Sequence, residues 1–277
     1  MPIVMDGKTL ADKIKLKIAE SVKALQVEPH LAVVLVGDDP ASQIYVRNKQ
    51  RDCEECGFKS TEYRLDANVS QPELFELVKG LSKDPSVNGI LVQLPLPAHI
   101  DTESILMAIT PYKDVDCFSS FNIGRLVKGG KGSLFLPCTP KGVLMLLNHY
   151  GISLDGKHCV IIGRSNIVGK PMALLALQEN ATVTICHSHT TNLKEICQTA
   201  DILITAVGKA GLIKPDFVKD GVVVVDCGMN RNEHGKLCGD CDPMVYDKSS
   251  AYTPVPGGVG PMTRATLMLN TCIAAKL

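Results

Sequence analysis

Tryptophan is absent from the 277 residues, and Phe and Tyr contribute only six each. With so few aromatics, a base-stacking platform for nucleic acid has little to be built from. Charge of one sign is lacking too: 29 Lys+Arg meet 29 Asp+Glu, a formal net charge of +0. Binding to a phosphate backbone rests on a basic excess, so no nucleic acid partner is expected. No stretch approaches the ~18 uninterrupted apolar residues of a membrane span, so no membrane partner is expected either. The apolar opening at residues 2–5 stops at Asp6, too short for a signal-peptide core, and Asp6, Asp12 and Glu20 speak against a transit peptide. The seven histidines show no H-E-x-x-H or similar ligand spacing, and no G-x-S-x-G elbow occurs. No metal ligand set and no acyl-transfer hydrolase are therefore expected.

What is present is ordinary globular material, 45% hydrophobic and 21% charged, long enough for one large or two modest domains. Eleven cysteines, an odd number spread through the chain, are expected to be reduced thiols in a cytoplasmic protein. Cys53-Glu-Glu-Cys56 and Cys238-Gly-Asp-Cys241 have the spacing of zinc half-sites. Their separation is far beyond a compact ribbon, and each pair falls inside an expected α/β element, so no zinc site is assigned.

Short β-branched runs alternate with helical patterns. Leu10, Ile14, Ile18, Val22 and Leu25 form a helical stripe, and Leu31-Ala-Val-Val-Leu-Val-Gly37 reads as a strand. Asp39-Pro40 supplies an N-cap and first-turn proline for a helix to about Gly57. A short strand near 61–65 precedes Ser70-Gln-Pro-Glu73, a capping box. Another strand lies at 87–94, and Asp101 opens a helix to about Ile109. The stretch 111–138, rich in Gly, Lys and Asp, reads as a loop. Beyond it Thr139-Pro140 starts a helix that Gly151 can end. Strands are expected at 158–163, 182–186, 201–207 and 221–226, and a last helix runs to Leu277. Strands separated by helices imply βαβ units and parallel sheets. The fold class expected is α/β, with two such units in series.

Strand 158–162 runs into Gly163-Arg-Ser-Asn-Ile-Val-Gly169-Lys-Pro and then a helix. Glycines after a strand let the backbone approach a pyrophosphate, and the helix N-terminus offers it free N–H groups. The spacing is not G-x-G-x-x-G, and Pro171 stands where a P-loop needs Ser or Thr. A dinucleotide site and a plain strand-to-helix turn both remain open. The next strand ends Cys186-His-Ser-His189, without the carboxylate that binds a ribose 2′-OH. A hydroxyl, imidazoles and nearby Arg164 suit a 2′-phosphate better, although ordinary loop residues would read alike.

Tyr45 and Lys49 are four apart on an expected helix and share a face. That helix begins beyond the carboxyl end of a parallel strand, where open α/β sheets bind ligands. Gln93 ends a second strand of the same half, and Asp116 follows in Lys113-Asp-Val-Asp116. Such a lysine can carry a proton if its pKa is lowered, the tyrosine can pack on a flat ring, and the carboxylate can receive two N–H donors. Taken singly, each also reads as an ordinary surface or strand-end residue.

Six segments resemble, in order, the methylenetetrahydrofolate dehydrogenase/methenyltetrahydrofolate cyclohydrolase family. They are Ser42-Gln-Ile-Tyr-Val-Arg-Asn-Lys49, Gly89-Ile-Leu-Val-Gln-Leu-Pro-Leu-Pro97, Lys113-Asp-Val-Asp116, Pro137-Cys-Thr-Pro-Lys-Gly142, Gly163-Arg-Ser-Asn-Ile-Val-Gly-Lys-Pro171 and Pro254-Val-Pro-Gly-Gly-Val-Gly-Pro-Met-Thr263. The resemblance implies a folate-binding catalytic domain at 1–137, with the final helix 263–277 packed back on it. It implies a Rossmann-like NADP domain at 138–262 and a catalytic cleft between the two. Hydride transfer from the methylene carbon to nicotinamide C4 needs no general base; hydrolysis of the methenyl product to 10-formyltetrahydrofolate needs proton transfers.

The resemblance gives those transfers to Lys49, oriented by Gln93, with Tyr45 packing at the pterin and Asp116 holding its amino and N3–H groups. Pro256 and Gly260 would shape the folate end. Gly163, Arg164, Ser165, Ser188, Cys227, Met229 and Thr263 would contact NADP, with Arg164 and Ser188 at the 2′-phosphate. Cys56, Cys238 and Cys241 stand where the family is usually apolar, which makes them buried thiols. A homodimer is implied as well. A dehydrogenase-only, NAD-linked member is disfavoured by Lys49 and by the missing carboxylate at 186–188, and a regulator without turnover by the intact Tyr45/Lys49/Gln93/Asp116 set. One departure stands out: the family usually has glycine after the last aspartate, where this chain has Cys117. A cysteine there is under constraint if the backbone needs φ > 0.

Overall fold

The computed structural model describes residues 1–24, 28–129 and 134–277, without the side chain of Ala41. Leu25 of the expected stripe, and part of the Gly/Lys loop at 130–133, lie outside the described residues. In chain order the first elements are β1 (Ile3–Val4), α1 (Gly7–Lys23), β2 (His30–Val36), α2 (Pro40–Cys56), β3 (Lys59–Leu65), α3 (Gln71–Lys83), β4 (Gly89–Val92), α4 (Thr102–Met107), α5 (Ser120–Val127) and α6 (Cys138–His149). They continue with β5 (His158–Ile162), α7 (Gly169–Gln178), β6 (Thr182–Cys186), α8 (Leu193–Gln198), β7 (Ile202–Thr205), β8 (Val223–Asp226), β9 (Asn230–Arg231), β10 (Leu237–Cys238), α9 (Met244–Lys248), β11 (Ala251–Tyr252) and α10 (Val259–Ala274). The chain divides into two compact units. The first holds Asp12–Cys138 with Arg264–Leu277, and the second holds Met1–Ala11 with Thr139–Thr263.

The first unit is built on a parallel sheet ordered β3-β2-β4. All seven residues of β2 are buried, as a strand covered on both faces requires. Leu31, Val33 and Leu35 face one way, toward Val46, Cys53, Cys56 and Phe58. Ala32, Val34 and Val36 face the other, toward Leu74, Val78, Leu81 and Ile105. Each Val, Leu, Ile or Phe among them contributes about 1.5–3 kcal/mol on burial. The caps fall where the residue types predict. Asp39 accepts from Ser42 N at 2.8 Å, Ser70 from Glu73 N at 3.4 Å, and Gly57 closes α2 at φ 73°. Leu267, Met268 and Cys272 of α10 join the core around Cys53, whose Sγ lies 3.7 Å from Met268 Sδ.

Two expectations need correction. The stretch 111–138 is not all loop: α5 lies within it, capped by Ser119. Only Asn122 and Leu126 of that helix are buried, and Gly124 interrupts it, so no apolar period announces it. Residues 1–11, expected with the first domain, belong to the second unit. Ile3 and Val4 pair in parallel with Ala251 and Tyr252, and a two-residue strand is too short to show an alternation.

The second unit carries a six-stranded parallel sheet ordered β1-β11-β8-β7-β5-β6. Val160, Ile162, Leu203 and Val224 bury one face against Cys197, Ile213, Val218 and Val245. At the carboxyl ends of β7 and β8, two buried aspartates gather the backbone N–H groups of the loops that follow. Asp226 accepts from the backbone N–H groups of Gly228, Asp240 and Cys241 at 2.8–2.9 Å. Asp240 accepts from Val207 and Lys209, each at 2.8 Å, and from the Asn230 side chain at 2.9 Å. A Cβ at Gly239 would fall 2.0 Å from Asp226 Oδ2, so the chain passes there only as glycine. Replacing Asp226 with alanine orphans three buried N–H groups at about 1–3 kcal/mol each. We expect Asp226→Ala to lower stability by about 3 kcal/mol or more, read as an earlier urea midpoint, with Asp226→Asn losing less.

Candidate functional site

In the first unit the strand order reverses between β2 and β4, and open α/β sheets place ligands beyond the strand ends at such a point. Gln93 follows β4 directly, and its N–H bonds Val34 O of β2 at 2.9 Å. α2 leaves from the same end of β2 and carries Tyr45 and Lys49, both half-buried, one turn apart. Lys49 Nζ donates to Gln93 Oε1 at 3.0 Å, and Gln93 Nε2 donates to Leu94 O at 2.7 Å. The second bond fixes which end of the amide faces the lysine.

Asp116 sits in a turn organised by its neighbour. The buried Asp114 carboxylate accepts from Phe118 N at 3.0 Å, Ser119 N at 2.8 Å and Asn122 Nδ2 at 2.9 Å. Lys113 donates to Asp84 O at 2.5 Å and pins the turn to the end of α3. Cys117 closes it with its N–H on Asp114 O at 3.0 Å, at φ 63°. The backbone therefore does demand a left-handed residue where cysteine stands.

Burial pushes Lys49 below the usual lysine range, against the pull of Asp116, and the charge of Arg264 adds to the lowering. Burial pushes the Asp116 carboxyl up, against the pull of Lys49. The buried thiol of Cys138 is also raised, by burial first and then by the charge of Asp116. Lysine and carboxylate thus sit close together in a setting that favours the uncharged form of each. Among the described residues no three His, Cys, Asp or Glu are grouped to hold a metal ion.

Sequence reasoning missed three neighbours of this cluster. Cys138 opens α6, and its Sγ lies 3.4 Å from Val115 O. Asn270 Nδ2 donates to Val115 O at 2.8 Å and Leu136 O at 3.0 Å, tying α10 to the chain on both sides of the cluster. Asn270 is fully buried directly after the apolar run Leu267-Met-Leu269, a signal the sequence did contain. Arg264 lies 3.3 Å from the buried Asp52, a pair too distant in sequence to leave a local trace.

The second unit holds the other expected residues. Its sheet order reverses between β5 and β7, and there stands Gly163 at φ 121°. A Cβ on it would lie 2.3 Å from Ala206 O, and one on Gly169 would lie 2.1 Å from Gly163 O. Both glycines are required for the chain to turn this tightly. Ser165 Oγ accepts from Val168 N at 3.1 Å and organises the turn into α7. Ile162 pairs with Cys186, so Arg164 and Ser188, both exposed, leave adjacent strand ends two residues further on. Cys227 and Met229 follow β8, with Cys227 N bonded to Thr205 O at 2.8 Å. A Cβ on Gly260 would meet Met229 Sδ at 3.7 Å, so these two are neighbours. Pro256 is exposed, and Thr263 Oγ1 lies 3.0 Å from Thr139 Oγ1.

A parallel sheet with a glycine turn at its switch point, joined in one chain to a half-buried lysine–carboxylate cluster, defines an α/β enzyme of the nucleotide-dependent class. Comparison with known proteins narrows that class. Residues 5–116 match the tetrahydrofolate dehydrogenase/cyclohydrolase catalytic domain, and residues 137–277 match the NAD(P)-binding domain of the same family. The chain is 53% identical to the bifunctional protein FolD of Agathobacter rectalis, covering 100% of both. It superposes with a TM-score of 0.97 on the bifunctional FolD dehydrogenase/cyclohydrolase of Campylobacter jejuni, at 51% identity over 100% of this chain and 99% of that one. The Trypanosoma brucei FolD, solved with NADP cofactor and inhibitor, gives a TM-score of 0.95 at 36% identity over 99% and 97%. The chain belongs to the tetrahydrofolate dehydrogenase/cyclohydrolase family.

The left-handed Cys117 makes a sharp expectation. Glycine removes the φ > 0 penalty and loses a small buried thiol, so Cys117→Gly is expected within about 1 kcal/mol of the parent. A β-branched residue at this angle is far worse, and Cys117→Val is expected to cost about 2 kcal/mol or more. Chemical denaturation of the two variants beside the parent checks the order.

Proposed function

We propose that this protein oxidises 5,10-methylenetetrahydrofolate to the 5,10-methenyl compound with NADP+ and hydrolyses that product to 10-formyltetrahydrofolate. The observation that carries the reading is the Lys49–Gln93 bond beside the half-buried Asp116, in a chain matched across both of its units by one bifunctional family. Residues of the second unit suit the dinucleotide. Gly163 and Gly169 leave a turn that a Cβ would fill, and no carboxylate stands at 187–189 to repel a 2′-phosphate. Gly163, Ser165, Cys227, Met229 and Thr263 would hold NADP, with Arg164 and Ser188 at its 2′-phosphate. When bound, that cofactor supplies a hydride acceptor.

The chain's own task in the first reaction is placement, because the folate nitrogen lone pair supports the cation that forms. Tyr45 packs against the pterin, Asp116 accepts from its amino and N3–H groups, and Pro256 and Gly260 shape the folate end. The second reaction moves protons. Water adds to the methenyl carbon while the Lys49 amine takes its proton, and Lys49 then returns one as the carbon–nitrogen bond opens. Gln93 aims the amine for both steps. The lowered pKa of Lys49 makes the free amine available at lower pH than for an exposed lysine. Hydrolysis should therefore rise with pH through that pKa, while hydride transfer shows no such limb. We take the protein to work in the cytoplasm as a homodimer; a monomer in light scattering would contradict the latter.

A paired assay tests the reading: with 5,10-methylenetetrahydrofolate and NADP+ or NAD+, reduced cofactor and 10-formyltetrahydrofolate are followed separately. Both products, with NADP+ preferred, are expected. Lys49→Met should remove enzyme-accelerated hydrolysis and leave measurable hydride transfer; full retained hydrolysis would sink the lysine assignment. Arg164→Ser should raise KM for NADP+ by roughly tenfold and barely change that for NAD+, since only one carries the phosphate.

A further inference from the structure

We propose that Arg264, anchored by Asp52 one turn beyond Lys49 on α2, is a positioning residue of the hydrolytic step: its fixed guanidinium biases Lys49 toward the free amine. The proposal rests on the reading of Lys49 as the proton carrier. Lys49, Asp52 and Cys53 are three and four apart on α2 and share one face. α10 meets that face at two places: Met268 Sδ lies 3.7 Å from Cys53 Sγ, and Arg264, one turn earlier, lies 3.3 Å from Asp52 Oδ2. The second contact brings the guanidinium to the turn of α2 next to Lys49.

Asp52 is fully buried, and its Oδ1 is taken by Lys15 Nζ at 2.9 Å. Oδ2 has no hydrogen-bond partner among the described residues, so its company is the ion pair with Arg264. A buried carboxylate left with one oxygen toward a single guanidinium holds that cation in place. Lys15 is itself shared with Glu55 at 2.5 Å and Asp12 at 3.3 Å, which leaves Arg264 as the cation of this network turned toward Lys49.

The groups around Lys49 are Gln93 from the end of β4, Asp116 from the turn before α5, Cys138 from α6, Tyr45 and Cys53 one turn to either side on its own helix and Arg264 from α10. Asp116 favours the ammonium, and so do the two thiols to the extent that they carry negative charge. Arg264 is the one cation in this set and opposes them. Hydride transfer uses no base, so a charge that acts on Lys49 should separate the two activities.

The test is hydrolysis of 5,10-methenyltetrahydrofolate from about pH 6 to 9 in Arg264→Gln and Arg264→Lys, with dehydrogenase kcat and KM and urea midpoints measured on the same preparations. Gln keeps the reach to Asp52 without the charge. It is expected to move the acid limb of hydrolysis upward, lowering turnover roughly threefold at the acid end with dehydrogenase kcat retained. Lys is expected to restore the profile. An unmoved pH profile in Arg264→Gln, or both activities falling in step with a lowered urea midpoint, overturns the proposal. Should Arg264→Gln not fold, Arg264→Met keeps the unbranched stem without the charge and is expected to move the limb upward in the same way; no displacement there overturns the proposal equally. Lys49→Met separates the two readings. If it retains hydrolysis, the lysine assignment has failed; if it loses hydrolysis while the Arg264 profile is unmoved, only the present proposal has.

Discussion

The structure of the first unit turns on one constraint: a lysine must be half-buried beside a carboxylate without becoming an inert ion pair. Paired in water, Lys49 and Asp116 would simply both be charged. Burial penalises the two charges together and moves each group toward neutrality. Around them the polar partners are neutral and directional. Gln93 receives the lysine, Cys138 lies against the carboxyl, and Asn270 holds the backbone on both sides. A full complement of opposite charge would have driven Lys49 back to an ammonium of ordinary pKa.

That arrangement depends on parallel sheets. In a parallel sheet all strands run the same way, so the loops after successive strands gather at the carboxyl ends. In the first unit this brings the start of α2 and Gln93 together at the β2/β4 switch point, and in the second it brings Gly163 beside Ala206 at β5/β7. The second unit also spends buried carboxylates on structure: Asp226 and Asp240 gather backbone N–H groups where the strands end. Aspartates of the same chain thus sit in opposite settings, Asp114 and Asp226 as fully used acceptors and Asp116 with its carboxyl beside Lys49.

The two units differ in how close their local turns come to what a residue can tolerate. Gly163, Gly169 and Gly239 are forced by approaches of 2.0–2.3 Å that any Cβ would meet. Cys117 shows the contrary case. Its left-handed angle is accepted by a side chain that is small, buried and within 3.4 Å of Phe135 O, so the strain is borne inside a well-packed core.

Much of this could be read along the chain. The β-branched runs, the Asp39 and Ser70 caps, Gly57 and the glycines at 163 and 169 are local signals, because periodicity, capping and steric freedom act over a few residues. Tyr45 and Lys49 on one helix face, Gln93 at a strand end and Asp116 in the turn beyond are expected from type and place, and of these Lys49 and Gln93 are bonded in the fold. The β1–β11 pairing, the helix inside 111–138 and the Arg264–Asp52 contact were not legible. Two-residue strands and short helices carry no period, and an ion pair between distant segments exists only once both helices have packed. The sequence by itself determined which chemical groups the protein owns and which elements carry them. Tertiary structure alone decided how much charge Lys49 bears, because desolvation and Coulomb interaction depend on distances that no local pattern encodes.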